Sequence, residues 1–230
     1  MSSEQALNGV PRGRGSGLQH PPRFMAWQRE PAQDVALPYA DGAMATCLFV
    51  DRARHVITYN RSPDVPFDRS INPYRGCEHG CSYCFARPSH AYLDLSPGLD
   101  FETCIGWKPD AAEVLKRELG RRNYRCAPIA LGVNTDAYQP LERKLGITRA
   151  LLEVMVACRH PVSIITKSSL IERDIDLLKD LARDRLVSVM FSVTSLDDTL
   201  SRRMEPRAAR PARRLAAMAA LSRAGVPVGV

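Results

Sequence analysis

The chain has 230 residues, of which 45% are hydrophobic and 25% are charged, and its formal net charge is +7. This length and composition predict a globular protein with one sizeable core and at most a small appendage. No run of about eighteen apolar residues occurs and the N-terminus is polar, so we expect neither a membrane span nor a secretion signal, and we predict a cytoplasmic protein.

The positive charge and the cysteines bear on partners and redox state. Lysine and arginine neutralise phosphates and release counterions, so a pI near 9.2 is compatible with a nucleic-acid partner. A generally arginine-rich composition is the alternative explanation, since no basic patch interleaved with aromatic residues is evident.

Three of the seven cysteines are clustered, and the four scattered ones are expected to be reduced thiols: Cys47, Cys104, Cys126 and Cys158.

The first part of the chain is predicted to contain little regular structure. Residues 1–44 are rich in Arg, Gly and Pro without hydrophobic periodicity, and this composition predicts a disordered leader. Residues 45–69 contain two short alternating segments, 47–50 and 55–59, which predict a hairpin followed by a proline-interrupted linker. The core is therefore expected to occupy residues 70–230.

A cysteine loop follows the first predicted core strand, residues 70–74. Cys77, Cys81 and Cys84 lie within eight residues, and the glycines among them let the backbone turn sharply, so three thiols can reach one metal centre. A structural zinc site needs four ligands, usually as two cysteine pairs, and this chain has no second Cys-x-x-Cys pair. Three thiolates on an iron–sulfur cube would leave one iron open for a substrate or cofactor.

Strand and helix patterns alternate after this loop. Short apolar runs predict buried strands, and amphipathic segments predict helices between them, two of which open with a capping box, at 110–113 and 169–172. The predicted strands are 128–133, 162–167, 186–194 and 226–230, and the predicted helices are 110–119, 148–159, 169–182 and 211–223. This order predicts an α/β fold with right-handed crossovers and a parallel sheet, either doubly wound or curled into a barrel.

Polar side chains follow the predicted strands at their carboxyl ends, where α/β barrels carry their active groups. The cysteine loop follows the first strand, and the next three strands end in the segments 134–136, 166–168 and 192–194. Four polar strand ends in succession predict a functional site at this edge of the sheet, independently of the cysteine pattern.

The cysteine spacing and its aromatic neighbours carry a resemblance to a known family. The pattern Cys-x-x-x-Cys-x-x-Cys, with Tyr83 before and Phe85 after the third cysteine, resembles the signature of the radical S-adenosylmethionine (SAM) enzymes. The resemblance implies a [4Fe–4S] cluster on Cys77, Cys81 and Cys84, with SAM bound at the open iron. It also implies that an electron from a reductant such as flavodoxin or ferredoxin cleaves SAM to methionine and a 5′-deoxyadenosyl radical, which abstracts hydrogen from a substrate.

A closer similarity covers residues 70–230 and includes the segment 100–102 and Lys108. These residues resemble the spore photoproduct lyase-like group, also described as DNA repair photolyase-like, within the radical SAM superfamily. The resemblance implies a partial (β/α)6 TIM-like radical SAM barrel. Because the chain ends at Val230 within the fifth predicted strand, we expect a barrel truncated after that strand, with an open edge that favours self-association.

The same resemblance assigns cofactor contacts residue by residue. Thr135, Lys167 and Ser192 occupy the positions that contact SAM in the lyase, so Lys167 is expected to pair with the SAM carboxylate and Ser192 to bond the ribose. With neighbouring polar side chains, the expected cofactor-binding set is Tyr83, Thr135, Asp136, Lys167, Ser192, Thr194, Glu205 and Arg214. For Glu205 and Arg214, a structural salt bridge is the alternative.

The sequence differs from that group at the position of the hydrogen donor. The lyase carries a hydrogen-donating cysteine at the end of its second strand, where this chain has Val133, which has no readily transferred hydrogen. Repair of spore photoproduct is therefore not expected. The catalytic residues are unassigned, and nucleic acid, protein and small molecules all remain candidate substrates.

A second class of function uses the same residues without redox chemistry. Cys77, Cys81 and Cys84 with either His79 or His90 would form a Cys3His zinc site, and the basic face of this module would bind RNA or DNA. Anaerobic reconstitution with iron distinguishes the two functions. A brown protein with about four irons per chain indicates a cluster, whereas a colourless protein with one tight zinc indicates the binding module.

Overall fold

The computed structural model describes residues 5–6, 11, 13–20 and 45–230, so most of the predicted leader lies outside the described residues. Its strands are β1 (Gln5–Ala6), β2 (Leu18–Gln19), β3 (Cys47–Val50), β4 (Thr58–Tyr59), β5 (Arg69–Ile71), β6 (Tyr74–Arg75), β7 (Cys104–Trp107), β8 (Ile129–Leu131), β9 (Val162–Thr166), β10 (Val187–Phe191) and β11 (Val228–Gly229). Its α-helices are α1 (Asp100–Thr103), α2 (Ala111–Leu119), α3 (Glu142–Leu145), α4 (Ile147–Ala157), α5 (Ile175–Arg183), α6 (Asp198–Met204) and α7 (Pro211–Arg223). The described segments Arg87–Leu93 and Ser169–Asp174 form 3₁₀ helices. No described helix has the length and apolar character that crossing a bilayer demands.

Six of the described strands form the main sheet, in the order β11-β10-β9-β8-β5-β4. The strands β5, β8, β9, β10 and β11 run parallel, and β4 pairs antiparallel with β5 at one edge. Helices lie between successive parallel strands in the chain, because parallel pairing requires a crossover connection. The predicted parallel α/β sheet is therefore confirmed, and its parallel strands end at a common carboxyl edge.

The core lies between this sheet and four helices. Leu115 on α2, Leu152 on α4, Leu178 on α5 and Leu221 on α7 are all completely buried. Burying one such side chain contributes about 1.5–3 kcal/mol. Strand residues such as Ile164 belong to the same apolar cluster, so the sheet and the helices share one core.

A small second sheet contains β3, β7 and β6 in that order. Since β3 pairs with β7 and β4 pairs with β5, the hairpin predicted within residues 45–69 is wrong. The amides of Val56 and Ile57 donate to the Glu118 carboxylate at 2.9 and 3.1 Å. The connection between β3 and β4 is therefore held by a buried side chain on α2 and not by a hairpin partner.

The predicted strand 70–74 is split between the two sheets, because β5 ends in the main sheet and β6 begins in the second. Pro73 lies at the break and has no amide hydrogen to donate to a strand partner. Asn72 Oδ1, also at the break, accepts hydrogen bonds from the amides of Asn134 and Thr135 at 2.8 and 3.3 Å. The chain thus leaves the main sheet just before the cysteine loop.

The helices begin differently from the predicted capping boxes. Ser168, one residue before the predicted cap, accepts a hydrogen bond from a backbone amide at 3.2 Å and opens the 3₁₀ turn before α5. Asp110 precedes α2, but its carboxylate caps none of the described amides. Helix α6, absent from the sequence prediction, is capped by Asp197, which accepts from the amides of Thr199 and Leu200 at 2.8 and 3.0 Å.

Candidate active site

The cysteine loop begins directly after β6, where the chain has just left the carboxyl end of β5. Cys77 and Cys81 are buried and Cys84 is half-buried. Gly76 has φ +80°, a left-handed conformation, and a Cβ at this position would lie 2.8 Å from the Phe101 carbonyl oxygen. The loop therefore folds as tightly as its glycines predict.

Buried hydrogen bonds fix the start of the loop. The Gln139 side chain accepts a hydrogen bond from the Glu78 amide at 2.8 Å and donates one to the Gly76 carbonyl oxygen at 3.2 Å. The Cys77 amide donates to the Phe101 carbonyl oxygen at 2.8 Å. The first cysteine is thus held between the segment after β8 and helix α1.

The segment at the end of α6 holds the other side of the loop. The Ser82 amide donates to the Met204 carbonyl oxygen at 2.9 Å, and the Arg207 amide donates to the His79 carbonyl oxygen at 3.2 Å. Arg207 Nη1 also lies 3.1 Å from Glu78 Oε1. A helix that the sequence did not reveal therefore helps to shape the predicted metal site.

Burial determines the chemistry of the thiols. It raises the pKa of Cys77 well above its ordinary value and raises the pKa of Cys81 to about 12. The positive charge of Lys167 opposes this shift at Cys81, because it lowers the pKa of the thiol. Cysteine binds a metal as the thiolate, so these thiols need an adjacent positive centre to lose their protons. A metal centre supplies that charge, and the donor set of this loop therefore fits one.

A single-ion site and a cluster place different demands on their ligands. Among the described residues, no three His, Cys, Asp or Glu side chains converge closely enough to hold one metal ion. In a [4Fe–4S] cluster each thiolate binds a different iron, so the thiols need not meet at one ion. The histidines of the zinc alternative have other contacts, since His79 Nδ1 lies 3.3 Å from Asp136 Oδ2 and His90 Nε2 lies 2.9 Å from the Cys104 carbonyl oxygen.

Six of the eight predicted cofactor-binding residues form one polar network beside the loop, at the carboxyl ends of β9 and β10. We call it the strand-end network, and its members are Tyr83, Lys167, Ser192, Thr194, Glu205 and Arg214. Lys167 Nζ donates to Ser192 Oγ at 2.8 Å and lies 5.8 Å from the centre of the Tyr83 ring. The Tyr83 hydroxyl lies 3.0 Å from Thr194 Oγ1. The structure therefore brings together residues that are up to 131 positions apart in the chain.

Glu205 is the centre of this network. Its carboxylate accepts hydrogen bonds from Tyr83, Thr194 and Arg214, and Arg214 also donates to the Ser192 carbonyl oxygen at 2.8 Å. Burial alone would raise the pKa of Glu205, but these hydrogen bonds and the charge of Arg214 outweigh it, so the pKa is lowered. Glu205 therefore stays charged and fixes the hydroxyls around it.

The other two predicted residues, Thr135 and Asp136, connect strand ends to each other. Thr135 Oγ1 donates to the Tyr74 carbonyl oxygen at 2.9 Å. Asp136 accepts from Thr166 Oγ1 at 2.8 Å and from the Lys167 amide at 2.7 Å. Burial would raise the pKa of Asp136, but the charge of His79 and the backbone hydrogen bonds lower it to about 2. Both side chains thus have partners within the protein.

Several residues that hold the loop are not evident from the sequence. Arg87 donates to the Cys81 carbonyl oxygen at 3.1 and 2.8 Å and forms an ion pair with Glu102. Gln139 contacts a residue 61 positions away, and Arg207 follows a helix that was not predicted. The one local signal for Gln139 is its position shortly after a polar strand end.

Comparison with known proteins identifies related sequences. The family model of the Radical SAM superfamily matches residues 71–230. An uncharacterized protein of Mycobacterium tuberculosis (strain ATCC 25618 / H37Rv) is 36% identical over 221 residues, which cover 88% of this chain and 65% of the relative. An uncharacterized protein of Methanocaldococcus jannaschii is 26% identical over 156 residues, which cover 68% of this chain and 56% of the relative. The chain thus spans less than two thirds of the length of either relative.

Solved structures of spore photoproduct lyase share the fold. The lyase complexed with dinucleoside spore photoproduct has a TM-score of 0.58 and 18% identity, over 79% of this chain and 49% of that chain. A double mutant of the lyase with bound AdoMet (SAM) and dinucleoside spore photoproduct has a TM-score of 0.55 at the same identity and coverage. At this level of identity the likeness concerns the fold alone.

Proposed function

This chain belongs to the radical SAM superfamily, whose members use a [4Fe–4S] cluster and SAM, and we propose that it is itself a radical SAM enzyme. In this proposal Cys77, Cys81 and Cys84 hold the cluster. When bound, the cluster and SAM supply reductive cleavage of SAM to methionine and a 5′-deoxyadenosyl radical. The substrate is unknown.

The juxtaposition of the cysteine loop and the strand-end network carries this proposal. Tyr83 lies in the loop, and its hydroxyl reaches both Thr194 and Glu205. The charges of Lys167 and Glu205 both act on the Cys81 thiol. A cation, several hydroxyls and an aromatic ring therefore border the thiols, which supports a SAM site at these strand ends.

The residues of the network have different roles in this proposal. Lys167 presents an ammonium group as a point charge for the SAM carboxylate. Ser192 Oγ, which accepts the Lys167 hydrogen bond, would bond the ribose. Glu205 and Arg214 hold Tyr83 in place, so they shape the site through a buried ion pair.

We also propose that residues 70–230 form a radical SAM core built as a partial (β/α)6 barrel. In a doubly wound sheet the strand order reverses at a switch point, whereas in a barrel successive strands lie side by side. Here β5, β8, β9, β10 and β11 follow one another without reversal. The likeness to the lyase fold supports the same architecture.

Partners follow from the same chemistry. A radical SAM enzyme needs a one-electron reductant, and a protein of the flavodoxin or ferredoxin class is proposed for that role. The net charge of +7 favours contact with phosphates, and the ring of Phe85, which is 79% exposed, can stack on a base; both support a nucleic-acid substrate. Val133, in place of the lyase's donor cysteine, supports a reaction other than spore photoproduct repair.

The test of this function is reductive SAM cleavage by the anaerobically reconstituted protein. We expect the dithionite-reduced protein to convert SAM slowly to 5′-deoxyadenosine without substrate, and SAM to change the electron paramagnetic resonance (EPR) spectrum of the reduced cluster. Cys81→Ala, which removes one thiolate, is the negative control. A protein that holds the cluster but neither cleaves SAM nor changes its spectrum on SAM addition would contradict the proposal.

A zinc-stabilised nucleic-acid-binding module is the second candidate, and one observation favours it. His90 Nδ1 is buried and has no hydrogen-bond partner among the described residues. Burial also lowers the pKa of His90, which keeps the ring neutral as a metal ligand must be. One tight zinc per wild-type chain, lost in His90→Gln and accompanied by no iron uptake, would support this module.

A further inference from the structure

We propose that Glu102 and residues 13–19, which we call the strap, are positioning elements that hold the cysteine loop in its cluster-binding shape. This inference rests on the proposed function, because it assigns the strap a role toward the same cluster. The strap precedes residues 71–230, which the family model matches, so the inference extends the site beyond them. The strap also lies inside the segment that the composition predicts to be a disordered leader.

The Glu102 carboxylate joins the strap to the loop. Glu102 is completely buried. One carboxylate oxygen forms an ion pair with Arg87, and the other accepts a hydrogen bond from the Gly15 amide at 2.9 Å. Arg87 in turn donates to the Cys81 carbonyl oxygen at 3.1 and 2.8 Å. A continuous chain of hydrogen bonds therefore runs from the strap through Glu102 to the backbone of the second cysteine.

A second route runs through Arg14. This arginine is buried, and its guanidinium donates to the Glu102 carbonyl oxygen at 2.7 Å and to Thr46 Oγ1 at 3.2 Å. Thr46 donates to the Glu78 carboxylate at 2.6 Å. Glu78 lies between the first two cysteines. The strap is therefore linked to the loop at two points, the Glu78 side chain and the Cys81 backbone.

The backbones of the strap and the loop approach closely. A Cβ on Gly15 would lie 1.7 Å from the Gly80 carbonyl oxygen, a separation that no real side chain tolerates. A Cβ on Gly80 would lie 2.7 Å from Glu102 Oε2, and Gly80 has φ +67°. Glycine is therefore required on both sides of the contact, and the strap covers the turn between the first two thiols.

The far end of the strap is anchored on the segment that carries Glu102. The Leu99 amide donates to the Leu18 carbonyl oxygen at 3.0 Å. Gln19 Nε2 donates to Asp100 Oδ1 at 2.6 Å. These bonds fix the strap against α1, whose third residue is Glu102.

The first test compares two buried carboxylates. Glu102→Gln keeps the shape of the side chain but removes the charge that holds Arg87, whereas Glu118→Gln makes the same change at a carboxylate that binds Val56 and Ile57 amides away from the loop. We expect Glu102→Gln to lose cluster iron to a chelator faster than wild type, because replacing a residue that orients metal ligands typically lowers metal affinity by about 10- to 100-fold. Glu118→Gln is expected to retain iron like wild type. Hydrogen–deuterium exchange of the metal-free proteins should rise in residues 76–90 for Glu102→Gln alone.

The second test compares two glycines of the strap. Gly15→Ala places a methyl group against Gly80, whereas Gly13→Ala places it in open space although φ there is +74°. Faster iron loss in Gly15→Ala than in Gly13→Ala is the expected result. Equal iron loss in Glu102→Gln and Glu118→Gln, or in the two glycine variants, would overturn the positioning role while leaving the proposed function intact. A wild-type protein that takes up no cluster would overturn both.

Discussion

At the scale of single residues, two adjacent arginines form ion pairs that differ in burial. The side chains of Glu205 and Arg214 are each 1% exposed, whereas those of Glu172 and Arg213 are 25% and 53% exposed. A buried charge that loses its partner has no water to replace it, but an exposed pair is screened by solvent. The two pairs therefore allow a matched comparison of how much a paired charge contributes to the free energy of unfolding.

We predict that Glu205→Gln lowers the free energy of unfolding by about 3–5 kcal/mol, because it leaves the buried Arg214 charge unpaired. Glu172→Gln, the control, should change the same quantity by no more than about 1 kcal/mol. Denaturant unfolding of the metal-free proteins measures both. Similar small losses in the two variants would show that Arg214 does not depend on Glu205.

A second prediction at this scale concerns SAM. Lys167→Ala and Ser192→Ala should each keep the cluster but weaken SAM affinity, by about 10- to 150-fold for Lys167, because a charge-assisted contact contributes about 1.5–3 kcal/mol. Lys179→Ala, which removes an exposed lysine on α5, is the control. Calorimetric titration of the anaerobic proteins gives the affinities. Unchanged affinity in both site variants would remove these residues from the SAM site.

At the scale of elements, regular patterns are predictable from the sequence and tertiary pairings are not. The predicted helix 211–223 coincides with α7, because a proline in its first turn and Gly225 after its end mark both limits. Strand β10 lies within the predicted strand 186–194 and alternates, with Val187, Val189 and Phe191 on the buried side. Strands β6 and β7 are short and pair across long sequence separations, so no local period reveals them.

The prediction at this scale concerns the N-terminal cap of helix α6. Asp197→Ala removes the side chain that accepts two amide hydrogen bonds at its start, and should lower the free energy of unfolding by about 1 kcal/mol. Hydrogen exchange should also rise in residues 198–207, which contact the cysteine loop. Asp110→Ala is the matched control, since Asp110 precedes α2 without capping a described amide. Equal effects of the two substitutions would count against the cap.

At the scale of the whole molecule, the candidate site joins segments that the sequence keeps far apart. The three thiols and the polar strand ends are recognisable from spacing and from the strand pattern. The residues that hold the loop, such as Arg87, Gln139 and Arg207, are not recognisable, because their hydrogen bonds depend on the tertiary fold. The sequence therefore predicts which side chains carry the chemistry but not what holds them in position.

The most direct test of the central claim is the iron and acid-labile sulfide content of the anaerobically reconstituted protein. We predict about four irons and four sulfides per chain in the wild type, and the same content in Cys104→Ala and Cys126→Ala. Cys77→Ala, Cys81→Ala and Cys84→Ala should each lose the cluster, because three thiolates share it. A full cluster in Cys81→Ala, or no cluster in the wild type, would contradict the assignment of this loop as the cluster site.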